Sequence, residues 1–177
     1  MKKRGRRILS FILTAVMVFA LLPVFSKPMM VKAENPQGHV HEDKDTDGSN
    51  HSNWKKISSW DDLKSLGKDG GSGYLVDNIK ISRTLTIYSD ITVNLCLNGY
   101  SITQTEDYID TITVYGTLNL YDKKDNSGII THANKKRGSG VSIVHDGTFI
   151  MNGGTISGNN ATWGGGVYIY IKMEPSQ

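Results

Sequence analysis

The chain has 177 residues, with 20 Lys and Arg, 17 Asp and Glu, and a single cysteine, Cys96. One thiol excludes an internal disulfide framework, so stability must come from packing and hydrogen bonding. Seven of the 20 basic residues and none of the acids lie before Glu34; the other 144 residues carry 13 basic and 17 acidic side chains, a net of −4. That balance leaves no basic footprint for nucleic acid, and the length suits one domain.

The first element in chain order, 1–33, reads as a secretory signal peptide. Lys2, Lys3, Arg4, Arg6 and Arg7 precede an apolar run from Ile8 to Phe25, and Val31 and Ala33 supply small residues for cleavage after Ala33. The expectation is a secreted or cell-surface protein with no membrane span once the segment is cut. From 34 to 53 the chain is polar without a hydrophobic period and reads as a linker. Region 54–73 is expected to be an N-terminal cap of helix and turn. Ser59 offers an N-cap, Asp61 and Asp62 suit the first turn, and Trp60, Leu63 and Leu66 form one apolar stripe. Gly67 to Gly73 reads as the turn that ends it.

Region 74–177 holds only short β-branched segments punctuated by Gly, Asn and Asp, with no proline between Pro36 and Pro175. Cys96 alternates with Leu95 and Leu97 and reads as a small strand filler. Shifting the chain by 26 residues lays Ser127–Val144 over Gly153–Tyr170 without a gap, with seven of 18 positions identical. Short strands at such a period predict an all-β solenoid, a parallel β-helix of about four coils. Val141 should then stack on Val167 and Ile143 on Ile169, with Ile156, Val167 and Ile169 in the core. Asn134 should stack on Asn160. The short helix should lie over the N-terminal end.

The motifs "LNLYD", "MNGGTISGN", "WGGGVYI" and "VNLCLNGYSIT" resemble the repeats of right-handed parallel β-helix proteins of the pectin-lyase-like superfamily. The nearest likeness is to large secreted or surface proteins of Gram-positive bacteria. The resemblance covers about Trp54 to Ile171. It implies a surface location and contact with polysaccharide or a host or cell-surface glycan. Such proteins continue for many more coils, so this chain reads as a truncated product. Its last coil should leave a strand edge open to self-association.

No pair of residues reads as a catalytic acid and base, so the primary reading is a non-catalytic, adhesin-like or glycan-binding module. The alternative is the N-terminal fragment of a polysaccharide lyase or glycoside hydrolase whose catalytic coils are absent. Asp107, Asp110, Asp122, Asp125, Asp146 and the run Lys135, Lys136, Arg137 all read as solvated turn charges. For glycan, Tyr168 and Tyr170 should face outward and join Trp163 as a stacking platform. In the 34–53 segment, Asp43, Asp45 and Asp47 before Gly48 match the first half of a calcium loop, but Trp54 stands where its bidentate acid belongs. His39, His41 and His51 with neighbouring acids offer zinc as a further alternative. Similar surface proteins carry an H-x-D-x-D-x-D-G-x-C element there, whose cysteine this chain lacks. The linker reading itself needs no cofactor.

Overall fold

The computed structural model describes residues 39, 41, 43–45, 48–134 and 136–170. The expected signal peptide lies outside these residues, and among them no helix is long and apolar enough to cross a membrane.

Among the described residues thirteen short strands and one helix follow one another: β1 (Lys55–Ile57), α1 (Trp60–Asp69), β2 (Gly71–Leu75), β3 (Ile79–Ile81), β4 (Leu85–Ile87), β5 (Thr92–Cys96), β6 (Ser101–Gln104), β7 (Ile112–Val114), β8 (Thr117–Tyr121), β9 (Ile129–His132), β10 (Val141–Val144), β11 (Thr148–Met151), β12 (Thr155–Ile156) and β13 (Val167–Tyr170). Every pairing is parallel. The strands sort into a first sheet β1-β2-β5-β8-β11, a second β12-β9-β6-β3 and a third β13-β10-β7-β4. Each coil therefore places one strand in each sheet, and from β2 onward four coils form an all-β parallel β-helix.

The pleat decides which residues fill the tube. Along β5, Val93 and Leu95 point inward, followed by Leu97 beyond the strand, and all three are buried with Leu118 and Leu120 of the next coil. The 26-residue shift holds in space: Ile130 pairs with Ile156, Val141 with Val167 and Ile143 with Ile169. The expected core membership differs, however. Val167 is 41 % exposed and Ile169 59 %, and Ile156 is only half-buried. These residues occupy inward files, but among the described residues β12 and β13 are edge strands with a neighbour on one side only. The amide ladder also sits elsewhere than expected. Asn119 Nδ2 donates to Asn94 Oδ1 at 2.9 Å, and Asn94 Nδ2 to Ser72 Oγ at 3.0 Å, whereas Asn134 and Asn160 lie exposed in turns.

The N-terminal cap forms as its sequence predicts. Asp62 N–H donates to the Ser59 hydroxyl, and Asp61 and Asp62 occupy the first turn. Leu63 and Leu66 enter the core, and Trp60 packs against it. The turn after the helix is shorter than expected, because Gly71–Leu75 is already strand β2, hydrogen-bonded to β1 and β5. Connections from the second sheet to the third lengthen from coil to coil: 82–84, 105–111, 133–140, then 157–166. Those from the third sheet to the first stay tight, at 88–91, 115–116 and 145–147.

Candidate functional site

Two features of the outer surface bear on function. The first is the tight corner between the third and first sheets. In three of the four coils the last inward β-branched residue of the third-sheet strand is followed at this corner by a tyrosine. Tyr88 follows Ile87, Tyr115 follows Val114 and Tyr170 follows Ile169, while in the third coil the inward Ile143 is followed by Val144 and then His145. Because Ile87 pairs with Val114, Ile143 with both Val114 and Ile169, and Val144 with Tyr170, the outward file along the axis is Tyr88, Tyr115, Val144 and Tyr170, with His145 one residue beyond it. His145 lies between two of them, 6.1 Å from Tyr115 and 6.3 Å edge-on from Tyr170, centroid to centroid. Tyr88 (55 %), Tyr115 (37 %) and Tyr170 (48 %) are all solvent-exposed. Beside the file runs an open groove of about 310 Å³ whose walls include Asp90, Thr92, Tyr115, Thr117, His145 and Asp146.

The corner is held by close backbone approach. A Cβ on Gly116 would stand 2.3 Å from the carbonyl oxygens of both Tyr88 and Ile91. Asp90 and His145 both adopt positive φ, 62° and 57°, which turns the chain sharply enough to present its side chains outward.

Of the expected glycan platform, Tyr170 belongs to this file. Trp163 is 72 % exposed in the long 157–166 connection, and Tyr168 is half-buried in the file of Thr113 and Ser142. The three thus lie on different features of the last coil, and Tyr170 takes His145 as its ring partner. Tyr88, Tyr115 and His145 are further members of the surface that sequence reasoning passed over. The recurring pair of an inward aliphatic followed by a ring ("IY", "VY", "IY") is the signal that finds the tyrosines, and His145 comes one residue later in the third coil ("IVH").

The expected turn charges play several parts. Asp122 is buried and accepts the Gly99 and Gly128 N–H groups, each at 2.6 Å, so it ties turns together rather than sitting in solvent. Asp110 accepts from Ser139 N at 2.8 Å, and Asp107 from Arg137 N at 2.7 Å. Lys123 pairs with Asp125. Lys135 lies outside the described residues.

The second feature is the segment before β1, read from sequence as a solvated linker. Its described residues instead cover the outer face of the first sheet. On that face Tyr74, Cys96 and Tyr121 stack in register, all fully buried. Lys124 N–H donates to the His41 carbonyl at 2.8 Å. Asn98 accepts from Asp45 N (2.8 Å) and donates to the carbonyls of Asp45 (3.0 Å) and Leu75 (2.9 Å). Lys44 Nζ lies 3.9 Å over the Tyr100 ring. Rings supply the packing: His51 stacks on Tyr74 at 3.9 Å, and His39 on Trp54 at 4.5 Å. This is a built strap, fastened at several points.

Beneath the strap the imidazoles of His39, His41 and His51 converge on the Cys96 thiol. His39 Nε2 is 3.0 Å from His51 Nε2, and His41 Nε2 is 3.3 Å from Cys96 Sγ. Burial, followed by the neighbouring His51 and His41, lowers the His39 pKa to about 4. Burial also lowers His51, against the opposing pull of its hydrogen bond to Asp45. The Cys96 thiol is pushed up to about 12, again by burial. Burial thus disfavours the charged forms of His39, His51 and Cys96.

The acids of the anticipated calcium loop are arranged differently from a calcium cage. Asp45 is buried and directs its carboxylate to Gly48 N (2.6 Å), Asn50 N (3.0 Å) and His51 Nδ1 (2.5 Å). Asp43 is exposed and offers its backbone carbonyl to His41 Nδ1 at 2.6 Å. Asp47 lies outside the described residues.

The fold defines the chain as a parallel β-solenoid. No family model, curated protein or solved structure matches it.

Proposed function

We propose that the chain is a non-catalytic, extracellular β-helix module that binds polysaccharide or surface glycan along the ringed corner. The carrying observation is the exposed corner where Tyr88, Tyr115 and Tyr170 share one file and the His145 ring lies between the last two, beside a groove bearing Asp90 and Asp146. Sugar rings stack their C–H faces on aromatic rings, and carboxylates accept their hydroxyl protons. Successive coils rise by about 4.8 Å, so the corner repeats similar contacts along an extended chain. The repeat motifs add a likeness to pectin-lyase-like surface proteins of Gram-positive bacteria, and the basic, apolar 1–33 segment supports export. Trp163 on the adjoining long connection would extend the contact surface. Among the described residues β11, β12 and β13 are the outermost strands of their sheets, which supports pairing with a second copy; a protein that sediments as a monomer at all concentrations would end that part of the reading.

A glycan array followed by titration of the best binder tests the main reading. Tyr115→Ala and Tyr170→Ala should each weaken binding about 2- to 12-fold, the loss of one aromatic contact of roughly 0.5–1.5 kcal/mol. Retention of full affinity in the double variant would defeat it. The groove's two carboxylates favour one alternative, a fragment of a lyase or hydrolase. Release of unsaturated or reducing ends that Asp90→Asn and Asp146→Asn abolish would establish that reading instead.

A further inference from the structure

We propose that His39, His41, His51 and Cys96 form a closed zinc site that clamps the strap onto the first sheet. One donor atom from each of the four side chains lies within 4.8 Å of every other. Zinc binds imidazole nitrogen at about 2.0–2.1 Å and thiolate at about 2.3 Å, which at tetrahedral angles separates ligand atoms by roughly 3.3–3.7 Å. The 3.0 Å and 3.3 Å separations lie just below and at the lower end of that range, and no pair exceeds 4.8 Å, so a small rearrangement of the side chains admits the ion.

The second nitrogens of two imidazoles are already committed. His41 Nδ1–H donates to the Asp43 carbonyl and His51 Nδ1–H to the Asp45 carboxylate. The tautomers those partners select leave both Nε2 lone pairs facing the cluster centre. A carboxylate or carbonyl behind each ligating histidine is the arrangement that orients imidazoles on zinc. Asp45 is itself fixed by the Gly48 and Asn50 N–H groups. Stacking on Trp54 and Tyr74 holds the His39 and His51 rings in plane.

The donor set selects the metal. Three imidazoles and a thiol suit zinc, whereas calcium and magnesium take oxygen ligands. Four protein ligands mark a structural site, since a catalytic zinc keeps a position open. Cys96 lies 55 residues from His41, so the ion would join the strap to the second coil. It supplies the long-range cross-link that a chain with one cysteine cannot make as a disulfide.

Cobalt(II) titration of the purified, chelator-stripped protein provides the test. One equivalent should produce a sulfur-to-cobalt charge-transfer band and the intense visible bands of a tetrahedral centre, and one equivalent of zinc should erase both. Cys96→Ser should abolish the charge-transfer band. His39→Gln, at the outermost and only half-buried ligand, should abolish the tetrahedral intensity with an unchanged far-ultraviolet dichroism spectrum. Asp45→Asn should keep the bands but weaken zinc binding by about 10–100-fold. No saturation at one equivalent, or an unaltered cobalt spectrum in Cys96→Ser, would overturn the assignment.

Discussion

The two ends of the solenoid are built from the same ladders and present opposite surfaces. At the N-terminal end, α1 packs across β3 and β4, β1 adds a strand outside β2, and the strap covers the first sheet's outer face. At the other end β11, β12 and β13 are, among the described residues, edge strands. One file shows the effect: Ile87 and Val114 are fully buried, Ile143 is half-buried, and Ile169 is 59 % exposed. Side-chain type and orientation stay constant along the file. Burial in a solenoid is therefore a property of the neighbouring coil as much as of the residue.

The largest expected effect comes from cutting one file at two heights. Leu120 is fully buried and pairs with Met151, which is largely exposed on the edge. Leu120→Ala should cost about 2–5 kcal/mol, while Met151→Ala should stay within about 0.5 kcal/mol. Urea denaturation measures both, and equal losses would erase the distinction between the ends. Next is the ringed corner. Gly116→Ala forces a Cβ to 2.3 Å from two carbonyl oxygens. It should destabilise by roughly 1–3 kcal/mol, read as a lowered melting temperature together with weakened glycan binding.

The smallest effect concerns the cap. Ser59→Ala removes the N-cap acceptor of Asp62 N–H and should cost about 1 kcal/mol. The Ser59 hydroxyl, above all, and the Ser58 N–H hold the Asp62 pKa down from 3.8 to about 2. A depressed carboxylate stabilises the fold fully above its ordinary value and loses that contribution as pH falls through the folded one. The stability gap between the native protein and Asp62→Asn should therefore be constant above about pH 4 and close as the pH approaches 2. A gap that widens in acid would contradict the cap geometry.

The 26-residue shift was enough to predict the strand stacks Ile130 on Ile156, Val141 on Val167 and Ile143 on Ile169, because parallel register repeats what the strands repeat, but it did not carry over to Asn134 and Asn160 in the connections. The N-cap was equally readable, since capping is local chemistry within four residues. The strap was not. Its histidines carry no hydrophobic period, and their partner Cys96 is remote in sequence. Only the pleat places Cys96 on the outward face between Tyr74 and Tyr121. An apolar file on the supposedly wet side of a strand was the available clue, since three such residues in register need a cover. Alternation shows which face a residue points to, but says nothing of what lies beyond that face.

The lengthening series of connections between the second and third sheets, from 82–84 to 157–166, has a consequence for how such a chain can change. Growth from three to ten residues costs only about 1 kcal/mol in closure entropy, and β12 and β13 keep their parallel pairing with β9 and β10 regardless. That edge is where foreign sequence can be accepted: a short epitope inserted within 157–166 should be displayed at the surface with the stacked files intact.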